Sequence, residues 1–301
     1  MNAVELNELS KTYPDGKKAV DHIRIHLTQG EIFGFLGPNG AGKTTTVKLL
    51  NGMLAPTSGS CSIFGTDPGR YPEKAHAYTG VVTEHAQMYD HLTGLQNLIF
   101  YGSLFGLRTG ESKSRALSLL EQMELSDAKD KKLAAYSTGM RKRLSLARAL
   151  IHQPQVLFLD EPTSGLDPES AQNVHAMIRR LAEEKGITVF LCTHQLRYAQ
   201  EICTRYGLIH DGKLLALGTL EELRRQVRSG ITVRIKAKGL PAEPLYTAIG
   251  KNEYQTTVRS ESEIPQIARS IVENNGELYH ISAEPPSLED LYFTLTAQTS
   301  R

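Results

Sequence analysis

The chain has 301 residues and a nearly balanced charge, with 34 Lys and Arg against 33 Asp and Glu and a formal net charge of +1. This length suffices for one large domain and a small second one, and the charge lacks the basic excess of nucleic-acid-binding proteins, so no nucleic-acid partner is expected. The apolar runs fall far short of the roughly 20 residues that span a bilayer, and the first residues lack a signal-peptide pattern. Three cysteines without metal-ligand spacing indicate free thiols in a reducing compartment.

The first two thirds of the chain alternate between strand and helix patterns. Strands are expected over residues 4–36, with a tight turn at Asp15–Gly16, and at 61–64, 80–83, 156–159 and 188–191. Helices are expected at 93–124, 139–151, 168–184 and 195–203. Residues 208–217 predict a hairpin turned at Asp211–Gly212. Continuously apolar strands that alternate with helices indicate an α/β fold around a parallel sheet covered on both faces.

The pattern changes near residues 225–230. Ile231, Val233 and Ile235 alternate with polar residues, as in a half-exposed strand, and apolar residues at helical spacing follow between 264 and 272. A strand is expected at 278–281, and Ser287 with Asp290 resembles a capping box that opens a last helix. We therefore predict a main domain over residues 1–225 and a small α+β domain over 226–301.

The segment GPNGAGKTT at residues 37–45 lies between a predicted strand and a predicted helix. This is the pattern of a phosphate-binding P-loop, in which glycines let main-chain N–H groups approach a polyphosphate. The helix N-terminus adds a partial positive charge. Lys43 is expected to reach the outer phosphates and Thr44 to bind Mg²⁺. The predicted nucleotide-binding residues here are Gly37, Pro38, Asn39, Gly40, Ala41, Gly42, Lys43, Thr44 and Thr45.

Two acidic residues end the buried strand at 156–159. Asp160 follows the strand directly, at the edge where ligands bind in parallel sheets, and is expected to hold Mg²⁺. Glu161 is the candidate general base for an attacking water. The alternative interpretation is that two acids simply end a strand.

These motifs together resemble the ATP-binding subunit of ABC transporters. Residues 37–45 match its Walker A motif, VLFLDEP (156–162) its Walker B motif, and YSTGMRKRLSLARAL (136–150) its signature segment. SGLDPES (164–170) is similar to its D-loop, Thr193–His194 to its switch histidine, and Tyr13 to the aromatic residue that stacks on adenine. The resemblance covers about residues 3–225 and implies a P-loop NTPase core with an antiparallel β subdomain and a helical signature subdomain at about 85–150.

The family geometry implies that two subunits pack head to tail as a homodimer with ATP between them. Ser137 and Gly139 of one copy would face the γ-phosphate bound by the other, and Asp167 and His194 would join the same site. ATP and Mg²⁺ are then the ligands, and a transmembrane permease is the partner. The resemblance also implies a cytoplasmic chain, peripheral on the inner face of the membrane through that permease.

Several of these residues have a purely structural interpretation. Tyr13 could be an ordinary strand-end aromatic residue, and His194 a structural histidine. Asp167 could cap the helix that starts at Pro168, which is compatible with a role in the D-loop. The basic residues 141–143 are expected on a solvated helix face. The apolar positions between 95 and 105 are expected in the core, within the subdomain where the family docks its membrane partner.

The chain departs from the family pattern at two places. The signature reads Ser-Thr-Gly-Met where the family commonly has Ser-Gly-Gly-Gln, so Thr138 adds a side chain at a point of close approach. The family's Q-loop glutamine corresponds to Glu84, whose carboxylate could still coordinate Mg²⁺ or a water; Gln87 is out of register by three. These variants, and the ending PSLEDLYFTLT at 286–296, resemble the exporters of drugs, antibiotics and peptides.

Three functions are compatible with the sequence. The first is an ATP-hydrolysing subunit that powers a separate permease, most simply an exporter. The second is a soluble ABC ATPase of DNA repair or the ribosome, although the coiled coil or the second cassette of those proteins is not found here. The third is a regulatory ATP-binding module with little hydrolysis, suggested by Glu84 and Thr138.

Overall fold

The computed structural model describes residues 2–84, 88–227, 230–241 and 246–299. The chain divides into two compact units, Met1–Leu217 and Gly218–Arg301. The division falls before the predicted boundary at residue 225. The reason is that helix α8 (Leu220–Val227) packs against α10 (Leu288–Thr299) of the second unit.

The first unit contains a three-stranded antiparallel sheet in the order β2-β1-β4. Its strands are β1 (Asn2–Thr12), β2 (Lys18–Thr28) and β4 (Ser58–Ile63). From His22 to Thr28 exposed and buried residues of β2 alternate, with Ile23, Ile25 and Leu27 buried, as expected of a strand with one face on the core. This sheet confirms the strands predicted in the first part of the chain.

The second sheet of this unit has six strands in the order β5-β6-β7-β3-β8-β9. They are β3 (Ile32–Leu36), β5 (Thr79–Val82), β6 (Val156–Asp160), β7 (Thr188–Thr193), β8 (Arg205–His210) and β9 (Lys213–Gly218). The pairs from β5 to β8 are parallel, which confirms the predicted parallel sheet. The hairpin from β8 to β9 turns at Asp211–Gly212, both with positive φ, as a tight hairpin requires.

Aromatic residues fill the centre of this sheet. Phe33 and Phe35 of β3, Phe158 of β6 and Phe190 of β7 are fully buried. The ring of Phe190 lies 5.4 Å from the rings of both Phe33 and Phe35, within the range of favourable aromatic pairs. This packing fixes β3, β6 and β7 side by side, so their carboxyl ends meet at one edge.

Seven α-helices accompany the sheets among the described residues of the first unit. They are α1 (Lys43–Leu50), α2 (Pro72–Tyr78), α3 (Gly94–Leu104), α4 (Thr109–Gln122), α5 (Thr138–Leu150), α6 (Pro168–Lys185) and α7 (Leu196–Ile202). Thr93 begins α3 with a capping box that Gln96 completes. Asp167 caps α6 by accepting a hydrogen bond from the Ser170 N–H at 2.9 Å, as predicted.

The prediction for residues 93–124 needs one correction. The expected helical pattern is present as two helices, since α3 ends at Leu104 and α4 begins at Thr109, with Gly106 at a φ of +77° in between. The apolar positions 95–105 were expected in the core, but Leu104 and Phe105 are 65% and 43% exposed. Both follow Gly102, the last buried residue of α3, and the Phe105 ring stacks on the His152 ring at 3.8 Å between centroids.

The second unit is an α+β structure. Its antiparallel sheet runs in the order β11-β12-β10-β13, with strands β10 (Ile231–Lys238), β11 (Thr247–Gly250), β12 (Glu253–Val258) and β13 (Glu277–Glu284). Helix α9 (Ile264–Glu273) buries Ile267 and Ile271 against Val233 and Ile235 of β10. The Ser287 hydroxyl accepts from the Asp290 N–H at 3.2 Å, and the Ser287 N–H donates to Asp290 at 2.9 Å, so the predicted capping box is present.

No helix in the described ranges combines the length and apolar character needed to cross a bilayer. All three cysteines are free and buried.

Candidate functional site

The glycine-rich loop connects the end of β3 to the start of α1. Gly42 has a φ of +110°, and a Cβ added there would lie 2.1 Å from the Ala19 carbonyl oxygen. A Cβ on Gly37 would lie 2.2 Å from the Ile209 carbonyl oxygen. Any larger residue would therefore push the loop off β2 or β8. The loop lines a cleft of about 180 Å³ at the carboxyl edge of the parallel sheet.

Lys43 is a buried cation held by the loop itself. Its Nζ donates to the Gly37 carbonyl at 2.6 Å and to the Pro38 carbonyl at 3.1 Å. It also lies 3.8 Å from Glu161 Oε1. A buried ammonium needs such partners, because burial without them is costly. The arrangement brings the charge of Lys43 to the floor of the cleft, between the loop and the strand-end acids.

Thr44 and Asp160 join the loop to the end of β6. The Thr44 hydroxyl donates to Asp160 Oδ2 at 2.8 Å. Burial raises the pKa of the Asp160 carboxyl above its ordinary value, and the Thr44 hydrogen bond opposes that shift. One hydroxyl and one carboxylate oxygen side by side are the donor types that Mg²⁺ prefers, so these two residues fit a magnesium site.

Glu161 is buried beside Asp160 and fully hydrogen-bonded. It has a φ of +48°, which is uncommon for a residue with a side chain. Its Oε2 accepts from the Thr193 hydroxyl at 2.8 Å, and its Oε1 accepts from the His194 N–H at 3.0 Å. His194 Nδ1 lies 2.8 Å from the same Oε1. Two residues at the end of β7 therefore hold the carboxylate of Glu161, the residue that follows β6.

Thr193 is a site residue that the sequence analysis missed. It was noted only as the neighbour of His194, yet its buried hydroxyl contacts Glu161 and also accepts from the Gln195 N–H at 3.1 Å. The sequence does carry a signal for it, because this threonine ends an apolar strand and directly precedes a polar turn. Lys17 was also missed: this cation of the turn between β1 and β2 lines the cleft.

Tyr13 and Glu84 lie at the mouth of the cleft. The Tyr13 hydroxyl is 3.3 Å from Thr45 Oγ1, and its half-buried ring lines the cleft beside Asn39 and Gly40. The exposed Glu84 carboxylate also lines the cleft, and its Oε1 lies 3.5 Å from the Ser164 hydroxyl. Its charge is one of those that raise the pKa of Asp160. The alternative Gln87 lies outside the described residues.

Seven predicted residues are not among those that line the cleft. The loop residues Gly37, Pro38 and Ala41 and the Glu161 partner His194 adjoin it, whereas Ser137, Gly139 and Asp167 lie elsewhere. Ser137 caps α5 by accepting from the Met140 N–H at 3.3 Å, and Asp167 caps α6. That hydrogen bond from Ser170 lowers the pKa of Asp167 below its ordinary value. A Cβ on Gly139 would lie 3.4 Å from Ser170 Oγ, so the two helix starts are neighbours. Ser137 and Asp167 are exposed, and their helix N-termini face outward.

The prediction for the basic residues 141–143 is wrong for its middle member. Arg141 and Arg143 make exposed or half-exposed ion pairs with Asp90 and Glu124. Lys142 instead turns inward, and its Nζ donates to the main-chain carbonyls of Glu84 and Glu161. It does so because α5 packs beneath the turns that follow β5 and β6.

The amino-acid sequence is similar to those of known proteins. The profile of the family described as "ABC transporter" matches residues 20–164. The linearmycin resistance ATP-binding protein LnrL of Bacillus subtilis is 31% identical over 313 residues, covering 99% of each chain. The daunorubicin/doxorubicin resistance ATP-binding protein DrrA of Streptomyces peucetius is 34% identical over 306 residues, covering 98% of this chain and 92% of DrrA.

A solved structure is also similar. It is a dimeric post-hydrolysis state of the ATP-binding cassette MJ0796 bound to ADP and Pi. The TM-score is 0.65 at 26% identity, over 72% of this chain and 98% of the cassette. The solved cassette therefore shares the α/β architecture described above.

Proposed function

The chain belongs to the ABC transporter family of ATP-binding subunits, ATPases that power transport, and we propose that it hydrolyses ATP–Mg²⁺ at a site shared by two copies to drive an export permease. One observation carries the proposal for the site. The 2.8 Å contact between Thr44 and Asp160 joins the phosphate-binding loop to a strand-end carboxylate, with Glu161 adjacent. A loop for phosphates, two oxygen ligands for a metal and a buried base in one cleft are what phosphoanhydride hydrolysis needs.

The nucleotide would be held by the loop and the cleft mouth. The N–H groups of the loop and the α1 N-terminus suit the anionic phosphates, and Lys43 would exchange its loop carbonyls for phosphate oxygens. The ring of Tyr13 at the mouth offers a stacking surface for the adenine. Lys17 adds a second positive charge on the same side. The loop, the two lysines and the ring of Tyr13 together favour a nucleoside triphosphate as the ligand.

Mg²⁺ would be held by Thr44 and Asp160, with Glu84 in contact directly or through water. Among the described residues, no three acidic, histidine or cysteine side chains converge on a ready-made metal site. That fits Mg²⁺, which usually keeps several waters and binds through one or two carboxylates and the substrate phosphates. Bound there, the ion would offset the charge that develops on the phosphates.

Hydrolysis requires a base and a group that orients it. Glu161 is the proposed base, which takes the proton of the water that attacks the γ-phosphate. Thr193 and His194 hold its carboxylate from two sides, and the exposed edge of His194 can face the γ-phosphate. Lys43 next to Glu161 keeps a cation where negative charge accumulates.

The second copy is proposed to complete the site. Ser137 and Asp167 are exposed and Gly139 is half-buried at neighbouring helix starts, and none of the three lines the cleft of its own chain. A helix N-terminus attracts anions, so the start of α5 of one copy suits the γ-phosphate held by the other. The similar cassette in a dimeric state bound to ADP and Pi supports a head-to-tail homodimer.

The permease and the direction of transport are inferred from the relatives and the surface. The two relatives are resistance ATP-binding proteins that match almost end to end, which favours an exporter of drug-like or antibiotic compounds over the soluble alternatives. Met53, Leu104 and Phe105 are exposed apolar residues that a partner could cover. The chain would then lie on the inner face of the membrane through that permease.

Replacement Glu161→Gln tests the proposal. The variant should bind ATP with about wild-type affinity, lose phosphate release by at least about a hundredfold, and accumulate as an ATP-bound dimer in size-exclusion chromatography. Glu183→Gln, an exposed position on α6, is the matched control and should behave as wild type. Full turnover by Glu161→Gln would remove Glu161 from the role of base.

A further inference from the structure

Lys142 is a half-buried cation that joins three segments of the first unit. It lies in the second turn of α5, about one and a half turns after Ser137. Its Nζ donates to the Glu84 carbonyl at 3.0 Å and to the Glu161 carbonyl at 3.3 Å. One ammonium therefore connects α5 with the turn after β5 and the turn after β6.

The environment of Lys142 distinguishes it from the two basic residues beside it. Burial lowers the pKa of Lys142 below its ordinary value, and the charges of Glu84, Glu161 and Asp160 oppose that shift. A buried cation is retained only where partners compensate it. The neighbouring Arg141 and Arg143 reach outward to Asp90 and Glu124, so this inward direction is particular to Lys142 among the three.

The two ends of this connection would serve different ATP molecules. Glu84 and Glu161 line the cleft of their own chain, whereas Ser137 at the start of α5 lies outside it. If the proposed function is right, Ser137 contacts the ATP bound by the partner. Lys142 then links the site in its own chain to the helix that completes the other site.

We infer that Lys142 is a positioning residue that couples the two ATP sites, an inference that rests on the proposed function. When ATP–Mg²⁺ moves the turns that carry Glu84 and Glu161, the ammonium passes that movement to α5 and reorients Ser137. Coupling of this kind is a free energy shared by two sites, and its experimental mark is cooperativity in ATP. Lys142 itself would contact neither the nucleotide nor the metal ion.

The test is the ATP dependence of phosphate release by the full chain carrying Lys142→Met, which keeps the length and removes the donors. We expect the Hill coefficient to fall to about one, because the coupling free energy between the two sites is lost. The affinity for ATP in dilute protein should change by less than about twofold, because the cleft is intact. Lys142→Arg keeps the donors and should restore most of the cooperativity.

The controls separate this inference from a structural role and from the proposed function. Arg143→Met removes the adjacent cation and should keep the wild-type Hill coefficient. Wild-type cooperativity in Lys142→Met, or equal losses in Lys142→Met and Arg143→Met, would overturn the inference while leaving the ATPase intact. A wild-type chain that hydrolyses ATP with a Hill coefficient of one would also overturn it. A wild-type chain that does not hydrolyse ATP would instead refute the proposed function.

One further measurement does not depend on hydrolysis. In nucleotide-free protein, amide hydrogen exchange at residues 137–141 should be faster in Lys142→Met than in Arg143→Met, because the start of α5 has lost its connection to the two turns. Unchanged exchange there would contradict the connection even if Lys142→Met lowered the ATPase rate.

Discussion

The hydroxyl of Thr193 donates a 2.8 Å hydrogen bond to Glu161 Oε2, and both residues are almost completely buried. This contact joins the last residue of β7 to the residue that follows β6. It fixes one oxygen of the proposed base, while His194 contacts the other oxygen. Thr193 thereby sets the direction of the carboxylate although it does not itself line the cleft.

Replacement Thr193→Val should lower kcat more than it affects ATP binding. Valine keeps the shape but leaves Glu161 Oε2 and the Gln195 N–H without their partner. We expect kcat to fall about ten- to a hundredfold, since small misplacements of catalytic groups have effects of that size. The free energy of unfolding should fall by about 1–3 kcal/mol. Thr193→Ser keeps the hydroxyl and should retain most of the activity; equal activity of the valine and serine variants would contradict this role.

Ser137 can be tested with variants that separate capping from the contact with the second copy. Ser137→Asp keeps an oxygen acceptor for the Met140 N–H, so α5 should remain capped. Its negative charge would face the γ-phosphate, so ATP-driven dimerisation of a Glu161→Gln background should be lost. Ser137→Ala should lower stability by about 1 kcal/mol and weaken dimerisation less. Thermal unfolding and size-exclusion chromatography with ATP measure the two effects, and an intact dimer with Ser137→Asp would refute the proposed contact.

The three buried cysteines should be inert in the native protein. Burial raises the pKa of Cys61 to about 12, with a smaller contribution from the charge of Asp67, and burial also raises the pKa of Cys192 and Cys203. The thiolate is the reactive form, so a thiol reagent at pH 8 should modify none of them until denaturant is added.

The same pKa shifts set an alkaline limit on stability. Above about pH 9 the thiols of the unfolded chain ionise while Cys61 in the folded chain stays protonated up to about pH 12. The unfolded state gains from that ionisation, so the free energy of unfolding should fall as pH rises through this window. Cys61→Ala should flatten that part of the pH profile in urea titrations. A profile with the wild-type slope would show that Cys61 does not contribute.

The sequence predicts the phosphate-binding loop and the strand-end acids because their chemistry depends on short spacing along the chain. Lys43 and Thr44 directly follow the glycine loop, Asp160 ends strand β6, and Asp167 caps its helix as the residue order suggests. The β8–β9 hairpin is equally local, since Asp211–Gly212 sets its turn.

The missed features depend on which segments pack together in space. Nothing in the order of Arg141, Lys142 and Arg143 says that the middle side chain meets two turns from distant strands. The helical period between 95 and 105 likewise does not reveal that Leu104 and Phe105 are exposed. Thr193 contacts Glu161 because β6 and β7 are neighbours in the sheet, a pairing that residue order does not show.

Lys142 binds main-chain carbonyl oxygens, and every amino acid at positions 84 and 161 supplies the same oxygen. Either a carboxylate or an amide side chain at position 84 would therefore leave the contact with α5 unchanged. Under the proposed function, the side chain of residue 84 would set the ligand chemistry around the metal ion, while the proposed link between the two ATP sites would depend on Lys142 and main-chain oxygens.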